Sequence, residues 1–124
     1  MLKNVLDKVN FGEVNMEMDT TQRGLLMFFK DYQVEAINYL WRAPPTGAGS
    51  KDVWVNVNDA LCGSISRASI INFLNDMVEI ELLNYHETTG KGGHRRIYHH
   101  KYAESEFKEE IVKRFLEKLH KSFS

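Results

Sequence analysis

Four polar side chains stand at the start of a segment in which apolar residues recur, and their chemistry suits hydrogen bonding with nucleic acid. They belong to Ser66, Arg67, Ser69 and Asn72. Arginine can donate two hydrogen bonds to guanine, asparagine can pair in the same two-pronged way with adenine, and a serine hydroxyl can reach a phosphate or a base. At the N-terminal end of a helix, where free amides and the helix dipole favour phosphate, these side chains form a candidate DNA-reading surface.

Basic side chains are concentrated in a second segment. The 124 residues carry a net charge of -1, which by itself argues against a nucleic-acid partner. However, residues 1–90 hold 7 basic and 12 acidic side chains, whereas residues 91–101 hold 4 basic and no acidic ones. We therefore predict that this segment contacts phosphate, or places arginines in a narrow minor groove. The predicted contacts are Lys91, His94, Arg95 and Arg96.

Hydrophobic periodicity predicts a first helix from Asp31 to about Ala43, ended by the two prolines that follow. Residues 44–52 are rich in turn formers and predict a loop. The run 53–55 predicts a short strand. Asn56 or Asn58 is then expected to cap a small helix that runs through Leu61 and ends at Gly63.

Ser66 is expected to cap a longer helix that continues to about Ile80, because apolar residues recur there at helical spacing. Residues 82–88 and 95–102 predict two strands, and the glycines of the tip at 89–94 predict a hairpin turn. A further helix is expected from Glu104 onward. In residues 9–18, apolar and polar side chains alternate, which is typical of a half-buried strand.

The apolar stripe of the last helix is wider than a terminal helix on a small domain needs for its own core. We therefore predict that it forms a homodimer interface. The expected interface residues are Phe107, Ile111, Phe115 and Leu119.

The order of these elements is that of a winged helix-turn-helix: helix, short strand, short helix, turn, longer helix and basic hairpin. The predicted fold class is α+β and mostly helical. Residues 1–28 form an N-terminal extension with a possible strand, residues 29–102 the winged-helix DNA-binding domain, and residues 103–124 the C-terminal dimerisation helix.

Two segments resemble the penicillinase-repressor family of transcriptional regulators. FKDYQVEAINYLW, from Phe29 to Trp41, is similar to that family's opening helix, and ISRASIINFLNDMVEIELL, from Ile65 to Leu83, is similar to its helix-turn-helix. The resemblance implies a homodimeric repressor on a palindromic operator. The resemblance further implies that Ser66, Arg67, Ser69 and Asn72 contact the major groove of DNA and that Arg95 and Arg96 contact DNA from the hairpin. Unlike the family, the second segment has a single basic residue in its helix and three acids, Asp76, Glu79 and Glu81, which predicts weaker binding and a shallower salt dependence.

Other classes of protein fit the sequence less well. No phosphate-binding loop, paired carboxylates or nucleophile with a base is present, so we expect no enzyme and no cofactor. The five histidines and Cys62 lack metal-ligand spacing, and Cys62 is expected to be buried. No signal peptide or membrane span is visible, so we expect a cytoplasmic protein. The competing hypothesis is a winged-helix module that binds protein rather than DNA, and the sequence identifies no small-molecule effector.

Overall fold

The computed structural model describes residues 8–11, 14–90 and 93–123, which form an α+β, mostly helical structure. A short 3-10 helix occupies Gly24–Met27. The other elements are, in chain order, β1 (Lys8–Phe11), β2 (Val14–Glu17), α1 (Asp31–Arg42), β3 (Ala48–Gly49), α2 (Ser50–Leu61), α3 (Arg67–Glu79), β4 (Leu83–Gly90), β5 (Gly93–His100) and α4 (Glu104–Phe123).

Two antiparallel sheets are present in the described part of the chain. In the larger sheet β5 lies between β3 and β4, and Ala48 pairs with Tyr98 while Tyr85 pairs with Tyr98 from the other side. The smaller sheet consists of β1 and β2. The sequence predicted one strand over residues 9–18, whereas the structure forms two short strands on either side of residues 12–13.

Helices α1, α3 and α4 lie where periodicity predicted them, and the β4–β5 hairpin lies where two strands were predicted. Residues 89–90 and 93–94, predicted to belong to the turn, instead extend the two strands, because Thr89 pairs with His94 and Gly90 with Gly93. In α1 the Lys30 amide donates to Gln33 Oε1 at 2.9 Å at the N-terminal end, and the helix ends at Arg42, two residues before Pro44. The proline prevents continuation because it lacks an amide hydrogen and restricts the preceding residue.

The prediction of a strand at 53–55 is wrong. These residues belong to α2, in which Val53 and Val57 are buried one helical turn apart and pack into the core. The short strand that precedes α2 is β3, in the segment predicted to be a loop. Gly47 has a φ of +96°, and a Cβ there would collide with the Tyr98 carbonyl, so this close approach requires glycine.

The ends of α2 also differ from the prediction. Asn56 and Asn58 lie within the helix and do not cap it, since α2 begins at Ser50. At the other end Cys62, with a φ of 47°, adopts the left-handed conformation expected of Gly63. Cys62 is also exposed rather than buried, because this position leaves the apolar face of the helix.

Among the residues whose burial the structure describes, a hydrophobic cluster joins the helices to the larger sheet, and α4 contributes to it. Ile37 of α1, Ile70 and Leu74 of α3, and Phe107 and Ile111 of α4 are essentially inaccessible to solvent. Burial of such side chains contributes about 1.5–3 kcal/mol each. The last helix is therefore packed onto the core of its own chain.

Arg114 adds a polar connection between α4 and the end of α3. Its Nη1 donates a hydrogen bond to the carbonyl oxygen of Ile80, the residue at which α3 terminates. Its Nε donates to Glu110 Oε1 at 2.9 Å, one turn earlier on α4. A cation at the C-terminal end of a helix satisfies a free carbonyl group and complements the helix dipole.

His100 is a partly buried histidine that packs between α1 and α4. Its ring stacks on Trp41 with 4.2 Å between centroids, and its Nε2 lies 2.9 Å from the Ile37 carbonyl oxygen. Because a carbonyl only accepts, Nε2 carries the hydrogen, and the buried Nδ1 has no partner among the described residues. Burial is the main reason that the pKa of His100 falls to about 4; the bond to Ile37 opposes the shift and His99 adds slightly to it.

The burial of His100 predicts an acid-dependent loss of stability. Between pH 6.5 and pH 4 the unfolded chain binds a proton that the folded chain excludes, so stability falls as pH falls through this window. The shift of the pKa from 6.5 to about 4 corresponds to about 3 kcal/mol. Chemical denaturation measures the free energy of unfolding at pH 7 and at pH 4. Between these two values of pH, the decrease in this free energy should be about 3 kcal/mol smaller for His100→Gln than for the wild type.

His94→Gln is the matched control, because its ring is exposed on the hairpin. This variant should retain the wild-type dependence on pH. An equal loss of free energy of unfolding in His100→Gln and in the wild type would contradict the burial of a neutral ring.

Candidate nucleic-acid interface

The turn between α2 and α3 is held by two side chains of α2. Trp54 Nε1 donates to the Ile65 carbonyl oxygen at 2.7 Å. Asn58 donates to the same oxygen at 3.0 Å, and its Oδ1 accepts the Ile65 amide at 2.8 Å. Both backbone groups of Ile65 are therefore satisfied, which fixes the chain immediately before α3.

Ser66 forms the N-cap of α3, as predicted. Its Oγ accepts the Ser69 amide at 3.0 Å, and the two hydroxyls lie 2.9 Å apart. The cap fixes the first turn of the helix, where the free amides point outward. Ser66 and Ser69 thus hold the helix start in addition to lying on the predicted reading surface.

The exposed face of α3 is polar and changes character along its length. Arg67 and Asn72 are exposed in the N-terminal half, as the predicted base contacts need to be, and Ser69 is partly exposed. Asp76 and Glu79, four and seven residues after Asn72, continue the side of the helix on which Asn72 lies. Partial burial raises the pKa of the Asp76 carboxyl group. The N-terminal half of the helix therefore offers one cation, Arg67, and one amide, Asn72, whereas the C-terminal end offers carboxylates.

The hairpin places its predicted contacts on two different faces. Successive residues of a strand point to opposite sides, so His94 and Arg96 share one face of β5 and Arg95 lies on the other. All three residues are exposed. Lys91 lies outside the described residues.

Arg96 joins the hairpin to α3. Its Nη1 donates to Asn75 Oδ1 at 3.1 Å, and its guanidinium carbon lies 4.1 Å from the centroid of the Tyr85 ring. The hydroxyl of Tyr98 donates to the same Asn75 oxygen at 2.6 Å. Burial raises the pKa of Tyr98, and the nearby Arg96 acts in the opposite direction. The hairpin and α3 thereby present adjoining polar surfaces.

The structure revises the predicted dimer interface on α4. Phe107, Ile111 and Phe115 are buried in the core of their own chain, because the same apolar stripe is needed to cover α1 and α3; Leu119 remains partly exposed. Of the remaining apolar side chains, Val112 and Leu116 are each 50% exposed and Phe123 is 69% exposed.

An apolar groove of about 370 Å³ borders this exposed stripe. Met18, Leu25 and Phe28 line one side of the groove, and Val112 and Leu116 of α4 line the other. The available surface of α4 therefore consists of a row of apolar side chains beside an apolar depression.

Other candidate sites are less developed in the described part of the chain. There, no three histidine, cysteine, aspartate or glutamate side chains converge as metal ligands would. The ring centroids of His86 and His99 lie 5.7 Å apart. Trp41 and Trp54 pack against the core, and their indole N–H groups donate to backbone carbonyls. None of the described helices has the length and apolar character required to span a bilayer.

Sequence reasoning missed the side chains that support the candidate surface. The sequence predicts Asn58 only as a candidate helix cap and predicts no role at the site for Asn75, Tyr85 or Tyr98. The helical spacing of Trp54 and Asn58, four residues apart before a turn, was a usable signal for the first pair. The Asn75–Arg96 contact joins residues 21 positions apart and depends on how the hairpin packs.

Comparison with protein-family models, curated proteins and solved structures finds no match for this chain. The resemblance to penicillinase repressors therefore rests on the two sequence segments alone.

Proposed function

We propose that the chain is a winged helix-turn-helix protein that binds double-stranded DNA in a sequence-specific manner and acts as a transcriptional repressor. In this proposal α3 enters the major groove and the β4–β5 hairpin contacts phosphate or the minor groove. No catalytic role and no cofactor are proposed. The function is that implied by the family resemblance.

The observation that carries the proposal is the exposed N-terminal half of α3 beside a basic hairpin. Arg67 and Asn72 are exposed on a helix whose start is fixed by the Ser66 cap and by the bonds to Ile65. A helix of this kind can enter the major groove, which is about 12 Å wide, and direct its first side chains toward base edges. The exposed hairpin cations stand where phosphate contacts are expected.

The acids on the C-terminal half of α3 support a modest affinity. Asp76 and Glu79 on α3, and Glu81 just beyond its end, would stand near phosphates if the whole helix lay in the groove, and their repulsion opposes non-specific binding. This favours docking by the N-terminal end of α3, with the acidic end directed away from the duplex.

The proposed protein is a homodimer that pairs through the exposed face of α4. Val112, Leu116, Leu119 and Phe123 recur at intervals of four, three and four residues, which is the spacing of a two-helix seam. A second copy presents the same spacing, so one stripe can cover the other. A two-fold dimer also supplies two copies of α3 to a palindromic operator.

A protein-binding module is the second candidate function. The exposed carboxylates of α3 favour this candidate, because they attract a basic protein partner and repel phosphate. Salt dependence on duplex DNA discriminates between the two candidates.

Binding to DNA predicts distinct effects for the hairpin and the helix. Arg95→Ala should weaken binding to all duplexes and reduce the slope of log affinity against log salt by about 1, because one phosphate contact is lost. Asn72→Ala should leave that slope unchanged and reduce the preference for the best sequence by about 1–3 kcal/mol. Fluorescence anisotropy at several salt concentrations measures both effects.

Arg42→Ala removes the same charge from the end of α1 and serves as the control, with affinity close to wild type. If Arg95→Ala combined with Arg96→Ala leaves duplex affinity unchanged, the role proposed for the hairpin is wrong.

The dimer proposal predicts that a charge in the α4 stripe separates the protomers. Leu116→Glu should convert a species of twice the chain mass to one of 14.4 kDa, since burying the carboxylate at a seam is costly. Sedimentation equilibrium measures the mass. Val55→Glu, at an apolar residue with similar exposure on α2, should remain dimeric. A monomeric wild type would refute the dimer, and a dimeric Leu116→Glu would refute this interface.

A further inference from the structure

Arg96 differs from its neighbour Arg95 because two other elements hold its guanidinium in place. Asn75 on α3 accepts a hydrogen bond from Nη1 at 3.1 Å, and the Tyr85 ring on β4 lies beneath the group. Asn75 is itself oriented, because its oxygen also accepts the Tyr98 hydroxyl at 2.6 Å. The carboxamide oxygen, and not its NH2 group, must face both donors.

These contacts leave most N–H donors of the Arg96 guanidinium group available to bind a ligand. Arginine carries five N–H donors, of which Asn75 accepts one, and an aromatic ring covers only one of its two planar faces. Arg96 remains exposed to solvent. Its remaining donors can therefore form the two-pronged bond that a phosphate group accepts.

The position of Arg96 connects it to the proposed reading surface. Asn75 lies three residues after Asn72, and residues at this spacing are neighbours on a helix surface. Arg96 therefore stands beside the exposed face of α3, whereas Arg95 points to the opposite face of the hairpin.

We propose that Asn75 is a positioning residue that presents Arg96, already oriented, to a DNA phosphate next to the bases contacted by Asn72. This inference rests on the proposed DNA-binding function. Long side chains lose rotamer freedom when they bind, and an arginine that is ordered beforehand avoids part of that cost. The avoided cost corresponds to about 2- to 12-fold in affinity.

A double-mutant cycle on a pool of random-sequence duplex tests the inference. Asn75→Ala should weaken binding by about 2- to 12-fold with an unchanged salt slope, because the Arg96 charge is retained. Arg96→Ala should weaken binding and reduce the slope by about 1. In the Arg96→Ala background, Asn75→Ala should have no further effect on affinity, because it acts only through Arg96.

If Asn75→Ala impairs folding, Tyr85→Leu repeats the cycle. The Tyr85 side chain is 38% exposed, so this substitution leaves the core and the Tyr98–Asn75 hydrogen bond intact. Its effect on affinity should likewise disappear without Arg96. Asn84→Ala is the matched control: this exposed asparagine lies on the opposite face of β4 and should bind like the wild type. Thermal unfolding of every variant reports its folded fraction.

Two failures are distinguishable. If wild-type protein binds duplex but Asn75→Ala and Tyr85→Leu weaken binding equally with and without Arg96, the two residues have only a structural role and the inference is wrong. If the wild type does not bind duplex at any salt concentration, the proposed function is wrong and the inference fails with it.

Discussion

The orientation of α3 depends on the hydrogen bonds that Trp54 and Asn58 make to the backbone of Ile65. The turn after α2 is short, so the direction of α3 is set by how its backbone is fixed at this one residue. Trp54 and Asn58 lie one helical turn apart and approach the same carbonyl oxygen, while Asn58 also receives the amide. Leaving such a group without a partner costs about 1–3 kcal/mol. This arrangement fixes the point at which α3 begins, and the burial of Ile70 and Leu74 then leaves Arg67 and Asn72 exposed.

The rest of the candidate surface is assembled around α3 from both sides. Asn75 ties the helix to the hairpin through Arg96 and Tyr98. Arg114 ties the end of the same helix to α4. A helix held at its start, along its flank and at its end can direct side chains with little loss of entropy on binding. The net charge of the chain conceals this surface, because acidic residues elsewhere offset the basic hairpin.

Local patterns predicted much of the fold and failed at identifiable places. Apolar residues at helical spacing predicted α1, α3 and α4, and glycines predicted that β4 and β5 form a hairpin. The strand prediction at 53–55 failed because the β-branched and aromatic residues favour a strand locally, whereas burial of Val53 and Val57 one turn apart favours the helix.

Those parts of the candidate site that depend only on the sequence of one helix were predictable. The Ser66 cap and the exposure of Arg67 and Asn72 follow from the start and periodicity of one helix. The wide stripe on α4 was also visible, but periodicity does not say whether a chain's own core or a second copy covers each residue. The structure assigns Phe107, Ile111 and Phe115 to the core and leaves Val112, Leu116 and Phe123 exposed. Contacts across the fold, such as Asn75 with Arg96, need the packing of the hairpin to be known.

We propose that α3, fixed at Ile65 and presented twice by a dimer, reads DNA. Repeated selection of bound duplexes from a random-sequence pool, followed by sequencing, should then enrich a palindromic sequence whose half-sites lie one helical turn, about 34–36 Å, or a multiple of it apart. Recovery of a pool with no sequence enriched would contradict this proposal.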